Sequence, residues 1–327
     1  MRLARYVAFR LAGILLVLLA IAVVTFAVFY LLPSDPARLA CGRPCSADNL
    51  EQIRAYMGVD QPWFVQLGAF LKGIVFGRSF GTVTCEAPCF GYSFMRHATV
   101  TDLIGARFPA TASIAVGGAV LFLVLGVLGG LLAALKRGSV FDRGVMTFSI
   151  AGVSTPVYLA GVLAILVFGF WLRWLPVSNY VPFEDSPAEW FRHLVLPWIT
   201  IAFVSAAVYA RLTRGEMLEV MGQDYIRTAR AKGLSETRVV GRHGLRTALL
   251  PVITVFGLDL GVLLGGAVIV EKVFAIPGMG SLLLEAVTFV DVQLIVGLTL
   301  FSAFLIVFLN FVVDLVYGLV DPRVRVA

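Results

Sequence analysis

The chain has 327 residues, of which 59% are hydrophobic and 14% are charged, and its formal net charge is +6 at pH 7. Soluble domains carry roughly 25% charged residues, so the composition excludes an ordinary water-soluble protein and predicts a membrane protein. The positive charge does not indicate nucleic-acid binding, because no basic patch is interleaved with aromatic residues in a water-facing domain.

Six stretches with almost no charge are long enough to be membrane spans. Crossing the hydrocarbon layer takes about 20 helical residues, and the stretches cover residues 11–32, 108–135, 144–172, 194–210, 247–270 and 292–313. The fourth stretch needs a few flanking residues to reach that length. The sequence therefore predicts an all-α polytopic membrane protein with six transmembrane helices and both chain termini on one side.

Lysine and arginine residues predict the orientation of these spans. With the long first loop left out, segments 1–10, 136–143, 211–246 and 319–327 hold 16 of them, and the opposite face has only Arg173, Arg192 and Lys272. Positive residues concentrate in the cytoplasm, so both termini are predicted to be cytoplasmic. The first apolar stretch exceeds the roughly 7–15 apolar residues of a signal peptide. We therefore expect residues 1–32 to form an interfacial helix and a retained first span. Simple juxtamembrane anchoring explains the basic residues of segment 1–10 equally well.

Residues 33–107 form the only sizeable segment outside the predicted spans. Pro33 and Pro36 end the first span. A helix is expected from about Asp48 to Gly58, and a second amphipathic stretch runs from Trp63 to Phe76. We predict that this segment is a small extracytoplasmic cap, and that residues 108–327 form the core with the other five spans.

All four cysteines lie in this loop, as the pairs Cys41/Cys45 and Cys85/Cys89. Disulfides persist on the oxidising side of a membrane, so disulfide bonding is the first hypothesis. A four-cysteine zinc site is the alternative, because three-residue spacers suit structural zinc. A bridge between the pairs closes about 45 residues and is worth about 4 kcal/mol, against about 2 for a local bridge. Loop entropy favours a cross-link between the pairs, although three connectivities remain open.

Catalytic motifs are missing or lack their structural context. Gly77, Ser79 and Gly81 match Gly-x-Ser-x-Gly, but a nucleophile elbow needs a strand, a sharp turn and a helix, so we expect only a glycine-rich turn. The sequence has no His-Glu-x-x-His, Walker A or dinucleotide motif. We predict that the chain is not an enzyme and binds no metal or cofactor of its own.

Asp259 is the one formal charge inside an apolar stretch, 12 residues into the fifth, or about 18 Å along a helix. A carboxylate at this depth is costly and usually faces a bundle interior or a wet cavity. Two interpretations remain open: Asp259 lines a translocation pathway, or it makes a structural hydrogen bond to a neighbouring helix.

Small residues recur in two of the predicted spans. Lipid provides no hydrophobic attraction between helices, so close packing through small residues holds spans together. The second span contains Gly117, Gly118, Gly126, Gly129 and Gly130, and the fifth contains Gly257, Gly261, Gly265, Gly266 and Ala267. We expect both sets to allow close approach of another helix.

The segment between the fourth and fifth spans is the most informative polar region. Residues 211–251 include eight Lys or Arg, and they contain the run Asp224-Tyr225-Ile226-Arg227-Thr228-Ala229-Arg230-Ala231-Lys232-Gly233-Leu234. A segment that only connects two spans does not need so many polar and basic residues in a helix-forming run. We therefore expect a soluble cytoplasmic partner to dock on the loop formed by residues 211–250. After Glu271, the run Phe274-Ala275-Ile276-Pro277-Gly278-Met279-Gly280 predicts a short apolar outer loop that gates a pore.

Eight short motifs occur in a specific order and spacing. They are Leu32-Pro33-Ser34-Asp35-Pro36, Gly77-Arg78-Ser79, Arg107-Phe108-Pro109-Ala110-Thr111, Trp174-Leu175-Pro176-Val177-Ser178, His193-Leu194-Val195-Leu196-Pro197, residues 224–234, residues 271–280 and Asp321-Pro322-Arg323. Along essentially its whole length the chain resembles the inner-membrane permease subunits of ATP-binding-cassette (ABC) importers for dipeptides and oligopeptides. That group also includes nickel and glutathione permeases.

The resemblance implies a type I ABC importer permease fold (MetI-like) in the bacterial plasma membrane. Its implied partners are a second homologous permease subunit, two ATP-binding subunits that hold ATP and Mg²⁺, and an extracytoplasmic substrate-binding protein. It implies that Asp224, Arg227, Ala229, Arg230, Lys232, Gly233 and Leu234 form a coupling helix inserted into a groove of the ATPase. It also implies that Glu271, Phe274, Pro277, Gly278 and Met279 lie near the outer gate.

The resemblance implies di- or oligopeptides as cargo, with nickel or another small solute as the alternative. A proton- or sodium-coupled secondary transporter is the alternative class, and it would have several intramembrane charges and two matching halves. A sensory or scaffold membrane protein is the third class. It would tolerate replacement of residues 224–234 by a neutral linker.

Overall fold

The computed structural model describes residues 2–31, 35–41, 46–57, 60–80 and 83–320. Within these ranges the helices are α1 (Arg2–Phe26), α2 (Pro36–Cys41), α3 (Ala47–Met57), α4 (Trp63–Phe76), α5 (Val100–Leu135), α6 (Val140–Ser154), α7 (Val157–Ala164), α8 (Pro187–Met221), α9 (Asp224–Ala231), α10 (Glu236–Arg238), α11 (Arg246–Gly265), α12 (Val268–Val273), α13 (Met279–Phe289) and α14 (Val292–Val320). Segments Ala27–Leu31, Ile165–Trp171 and Val239–Leu245 are π-helical, and the strands are β1 (Arg78–Phe80), β2 (Val83–Cys85), β3 (Tyr92–Ser93) and β4 (Ala98–Thr99).

The helices match five of the six predicted spans directly, and the sixth if a bent helix pair is counted as one span. In the described part of the chain five helical stretches are long and apolar enough to cross a membrane, namely Arg10–Phe29, Val100–Leu135, Pro187–Met221, Glu236–Gly265 and Val292–Val313. The pair Val140–Ser154 and Val157–Trp171 passes the same test together and corresponds to the predicted third span.

The third span is broken rather than continuous. Its two halves meet at an angle of 105°. Thr155 has an extended backbone (φ −91°, ψ 120°), because the residue before a proline is driven out of the helical region. Pro156 also lacks the N–H group that a continuous helix would need at this position.

The chain divides into two compact units, of which the first comprises Met1–Thr111, Leu264–Val268 and Pro277–Phe308. One core of this unit lies where the first turns of α5 meet α13 and α14, and it consists of Val100, Ile104, Met279, Leu282, Ala286, Leu294 and Leu298. At the start of α14, Ser93 donates a hydrogen bond to the buried Asp291. Asp291 also accepts from the Leu294 N–H at 3.3 Å, so one carboxylate connects β3 to the first turn of α14.

The first helix is continuous where we expected two elements. We placed an interfacial helix before the first span with a boundary near Arg10, but α1 runs without a break from Arg2 to Phe26. Residues 2–10 contain no glycine or proline, and their alanine, leucine and arginine residues favour helix. The basic residues of this segment therefore lie on the first turns of the spanning helix itself.

The long loop contains two short antiparallel hairpins besides the expected helical stretches. Arg78↔Cys85 and Phe80↔Val83 are paired residues of the antiparallel β1–β2 hairpin, and Tyr92 pairs with Thr99 in the β3–β4 hairpin. Arg54 donates to Asp35 at 2.7 Å, and this hydrogen bond holds the pKa of Asp35 below its ordinary value.

The Gly-x-Ser-x-Gly match belongs to this loop and is not a nucleophile elbow. Gly77 follows helix α4 with φ +81°, and Ser79 lies in strand β1 with its side chain exposed. The order is helix, turn and strand, the reverse of a nucleophile elbow. Gly81 lies outside the described residues. The prediction of a glycine turn is correct at Gly77, but the strand after it was not expected.

The disulfide hypothesis is confirmed, although the favoured connectivity is wrong. Cys85 and Cys89 are bonded to each other, with Cα atoms 5.6 Å apart, a separation that a disulfide can span. The chain turns back directly after β2, so local proximity outweighs the larger loop entropy of a cross-link between the pairs. Cys41 is also disulfide-bonded, and Cys45 lies outside the described residues. Two oxidised thiols exclude Cys85 and Cys89 as zinc ligands, so the four-cysteine zinc site is wrong.

The second unit comprises Ala112–Leu263, Ile269–Ile276 and Leu309–Ala327. Helix α8 is its centre, with buried residues from Leu194 to Val220. Four of the five expected glycines of α5 face this helix: for example, a methyl group on Gly118 would lie 3.2 Å from Ile201, and one on Gly126 would lie 2.5 Å from the Tyr209 Cβ. Gly257 of α11 contacts Val313 of α14 in the same way.

Adjacent glycines on α5 provide a matched test of this packing. A methyl group on Gly130 would collide with the Ala210 carbonyl and lie 2.8 Å from the Thr213 Cβ, whereas one on Gly129 would meet nothing within 4 Å. We expect Gly130→Ala to cost about 1–3 kcal/mol by overpacking. Gly129→Ala is expected to be neutral or slightly stabilising, because alanine favours helix. Thermal denaturation of the purified protein checks this, and equal midpoints for the two variants would contradict it.

Candidate functional site

The predicted docking loop contains a short, strongly amphipathic helix, α9. Asp224 lies in its first turn and Arg230 in its last, and both charges complement the helix dipole. Ile226 and Ala229 are buried, whereas Tyr225 and Arg227 are exposed. Their spacing of three residues places Ile226 and Ala229 on one face of the helix. The helix therefore has an inner apolar face and an outer polar face.

Gly233 ends this helix through a specific backbone motif. Its φ is +75°, and its N–H donates to the Arg230 carbonyl at 2.9 Å while the Leu234 N–H donates to the Ala229 carbonyl at 3.4 Å. These two bonds define a Schellman motif, in which glycine is preferred because the left-handed conformation strains other residues. A methyl group at Gly233 would meet nothing within 4 Å, so the requirement is conformational and not steric.

The inner face of α9 packs inside its own loop. Ile226, Ala229 and Val239 form a buried cluster, and Met221 and Leu234 pack against it. Ala229 and Leu234, which we predicted to belong to a partner-binding helix, therefore face inward. Asp224, Arg227 and Lys232 lie on the exposed surface.

Arg230 connects the two short helices of the loop. Its guanidinium donates to Glu236 at 2.7 Å and 3.3 Å. Arg227 makes a looser ion pair with Asp224 at 3.6 Å, and both side chains are largely exposed. Glu236 was not among the predicted site residues, because a residue six positions away across a turn has no fixed helical register. Arg230 thus has a structural contact that Arg227 lacks.

A cleft of about 320 Å³ lies beside this ion pair. It is lined by Ala134, Leu135, Met217, Leu218, Met221, Arg230 and Glu236. The ends of α5 and α8 supply its apolar wall, and the loop supplies its charged wall. The Arg230–Glu236 pair therefore lies at the side of this cleft.

A second ion pair joins the start of α6 to α8. Arg214 donates to both carboxylate oxygens of Asp142, at 2.6 Å and 2.8 Å, and the Gly138 N–H donates to the same carboxylate at 2.9 Å. Bidentate pairs of this kind are among the stronger and more directional contacts. The sequence carried one signal that we missed: Ser139 and Asp142 have the spacing of a helix N-cap pair, and Ser139 does cap α6.

Asp259 makes the structural hydrogen bond that was one of its two interpretations. The Tyr209 hydroxyl donates to Asp259 Oδ2 at 2.8 Å, which joins α8 to α11. Tyr209 is completely buried, and its ring lies 4.7 Å from that of Phe122. Asp259 itself is only partly buried. The pathway role stays a prediction.

At the predicted outer gate a short connection joins two helices, and most of the predicted residues are buried. Glu271 lies in α12 and Met279 begins α13, so only residues 274–278 connect the helices. Glu271, Phe274 and Met279 are at most 1% exposed. Glu271 and Phe274 belong to the second unit, and Pro277, Gly278 and Met279 to the first.

Two residues that we did not single out as functional fix this segment. The Asn179 N–H donates to the Phe274 carbonyl at 3.1 Å, and the Met279 N–H donates to Thr111 Oγ1 at 2.8 Å. Thr111 ends one of the eight motifs, and Asn179 follows another. Their closeness to these motifs was the sequence feature that could have pointed to them.

Comparison with known proteins identifies the family. A model described as "Binding-protein-dependent transport system inner membrane component" matches residues 126–326, and its N-terminal membrane component matches residues 3–115. A protein named as a peptide transport system permease in Brucella abortus (strain 2308) is 42% identical over 316 residues, 97% of each chain. The glutathione transport system permease protein GsiC of Escherichia coli (strain K12) is 38% identical over 320 residues, 98% of each chain.

A solved structure supports the MetI-like fold that we expected. A chain of the inward-facing MetNI methionine ABC transporter is similar with a TM-score of 0.52 and 18% identity, covering 68% of this chain and 97% of that one. The helical spans, the loop between α8 and α11 and both family models lead to the same assignment. The chain belongs to the family of binding-protein-dependent transport system inner membrane components and is a permease subunit.

Proposed function

We propose that this chain is the permease subunit of an ATP-driven importer of di- and oligopeptides and forms half of the translocation pathway. The observation that carries the proposal is the construction of α9. Its inner face is buried against Val239, Gly233 fixes its end, and its outer face is polar and exposed. A helix held this firmly on its inner side and exposed on the other is suited to receive a force from a partner.

The outer face of α9 fits a groove with acidic residues at its rim. Arg227 and Lys232 are exposed there, and Tyr225 presents 44% of its surface. Aromatic and basic groups are frequent at protein interfaces. We propose that an ATP-binding subunit supplies the groove, that ATP and Mg²⁺ bind on that subunit, and that this chain catalyses no reaction.

Movement of α9 would reach three spans through contacts within the second unit. The cluster of Ile226, Ala229 and Val239 connects α9 to the π-helical segment that continues into α11. Gly244 of that segment lies close to Met217 and Met221 of α8. The Asp142–Arg214 pair then joins α8 to α6. Rigid local packing of this kind transmits small displacements because it is not continuously deformable.

The proposed assembly contains a second, homologous permease, two ATP-binding subunits and an external substrate-binding protein. The excess of Lys and Arg at both chain ends and in the α8–α11 loop supports cytoplasmic termini in a bacterial plasma membrane. Asp259 is proposed to line the pathway, since one of its oxygens is held by Tyr209 while the residue remains partly exposed.

The cargo proposal comes from the relatives. Two of them are named as peptide and glutathione permeases, and glutathione is itself a small peptide. Nickel or another small solute carried by the same type of importer is the alternative. Mass spectrometry of the small molecule that copurifies with the external binding protein distinguishes them: a metal complex would refute peptide cargo and leave the importer mechanism intact.

The docking proposal predicts the effect of reversing charges on α9. Arg227→Glu with Lys232→Glu places like charges against an acidic rim, which costs several kcal/mol, so copurification of the ATP-binding subunits should fall at least about tenfold. Arg143→Glu is the matched control, because Arg143 is an exposed arginine in the first turn of α6, outside the loop between α8 and α11. Pull-down of the assembled complex measures this. Equal losses in both variants, or peptide uptake into proteoliposomes without any ATP-hydrolysing subunit, would refute the proposal.

A further inference from the structure

Helix α4 exposes an unusually apolar surface. The large exposed residues are Trp63 at 57%, Phe64 at 60%, Val65 at 40%, Val75 at 63% and Phe76 at 76%. Lys72 is the only charged residue among its 14. A water-facing cap helix would carry polar groups on its outer side, so this surface calls for an apolar environment.

The opposite face of α4 shows the depth at which the helix lies. Phe70, Leu71 and Ile74 pack against a buried cluster that Ala22 of α1 forms with Val292, Val296 and Leu300 of α14, and the rings of Phe26 and Phe70 are 5.8 Å apart. All of these residues belong to the first unit. The positions of the contacted residues along α1 and along α14 therefore give two separate indications of the depth of α4.

The positions of Ala22 in α1 and Leu300 in α14 indicate similar depths in the membrane. The apolar span of α1 ends at Phe29, so Ala22 lies seven residues, or about 10 Å, below that end. The span of α14 begins at Val292, so Leu300 lies eight residues, or about 12 Å, below the corresponding end. Helix α4 thus packs against a cluster that lies within the last 10–12 Å of two spans, a depth of up to about a third of the roughly 30 Å hydrocarbon layer.

We propose that α4 is embedded in the membrane leaflet on the side of the first loop and that its exposed face contacts lipid acyl chains. Its 14 residues extend about 21 Å, too short to cross the bilayer, so the helix enters and leaves on the same side. Trp63 at its beginning suits the interface, where tryptophan is enriched, and Lys72 can extend its amine towards the headgroups.

Lipid is the occupant that the depth favours. A soluble binding protein would have to enter the hydrocarbon layer to cover residues at the level of Ala22 and Leu300. A second permease subunit could reach this depth, and it is therefore one outcome of the test. The proposal changes the expected role of the first loop, because part of the cap lies inside the membrane.

Site-directed spin labelling of the complete transporter in lipid nanodiscs tests the proposal. Phe64→Cys and Val75→Cys each carry a nitroxide, and Asp60→Cys, an exposed residue just before α4, is the control. Cys41, Cys85 and Cys89 are disulfide-bonded and do not react with the label. Collision with oxygen reports lipid, and collision with a water-soluble nickel chelate reports water.

We expect the labels at positions 64 and 75 to collide mainly with oxygen and the label at position 60 mainly with the nickel chelate. Predominant nickel collision at positions 64 and 75 would overturn the proposal. Loss of both kinds of collision there would also overturn it, since it would show that a protein partner covers the helix. Because the labelled side chains are exposed, their replacement leaves the packed face of α4 intact, and the two sites serve as independent readings.

Discussion

Replacing Gly233 with proline is expected to abolish transport while the permease still reaches the membrane at its normal level. Proline holds φ near −65°, whereas Gly233 has a φ of +75°. Proline also removes the N–H that donates to the Arg230 carbonyl at 2.9 Å. The end of α9 would then lose its alignment with Glu236, although no membrane-spanning contact is disturbed.

A graded series separates the conformational requirement from a general sensitivity of the loop. Gly233→Ala should weaken the motif by about 1–2 kcal/mol, the cost of a left-handed conformation, and Gly233→Asn should be milder because asparagine tolerates that conformation. Gly241→Ala is the matched control. Gly241 is exposed, its added methyl group would meet nothing within 4 Å, and its φ is not positive.

The measurement is ATP hydrolysis by the complete complex, stimulated by loaded binding protein, together with peptide uptake. We expect both to decrease in the order glycine, asparagine, alanine and proline. Wild-type uptake by Gly233→Pro would contradict the coupling role of α9. An effect of Gly241→Ala as large as that of Gly233→Ala would show that the loop tolerates no added methyl group, whatever the backbone conformation.

Replacing Asp259 with leucine is the second change for which we expect a large effect, on both stability and transport. It leaves the Tyr209 hydroxyl buried without its acceptor, which costs about 1–3 kcal/mol. Tyr209 is completely buried, so water does not readily replace the lost carboxylate. If Asp259 also lines the pathway, transport should fall further than the loss of stability accounts for.

The double variant Tyr209→Phe with Asp259→Leu separates the two roles. Removing both partners of a hydrogen bond can be nearly neutral for stability, so we expect the melting temperature to recover while uptake stays low. Comparing single and double variants isolates the interaction of this pair. Full recovery of uptake in the double variant would remove the pathway role and leave only the structural bond.

Much of the architecture was predictable because span formation is local. A stretch such as 292–313 is apolar over a sufficient length whatever surrounds it, and the structure places a helix there. The break at Thr155 and Pro156 could also have been predicted, since proline acts on its immediate neighbours. The continuous α1 shows the limit of such arguments: a change of composition near Arg10 predicted a boundary, but nothing in the backbone chemistry required one.

The functional loop was only partly predictable. The basic character of residues 224–234 and the glycine at its end are visible in the sequence, and the structure places both on one capped helix. The inward orientation of Ala229 depends on Val239, ten residues later in the chain. The contact of Arg230 with Glu236 likewise depends on the turn that follows α9. Neither helix propensity nor hydrophobic periodicity predicts either of these two contacts.

Short segments of sequence were sufficient to predict the apolar stretches long enough to span a membrane, the presence of disulfides in the first loop and the location of the basic helix α9, because apolar length, cysteine content and charge are local properties. Only the packed helices establish that Cys85 bonds to Cys89, that Arg214 holds Asp142, that Tyr209 donates to Asp259 and that α4 packs against a cluster formed by α1 and α14. Most of these contacts join residues that are distant in the chain. Their energies depend on distances that exist only after the helices have packed.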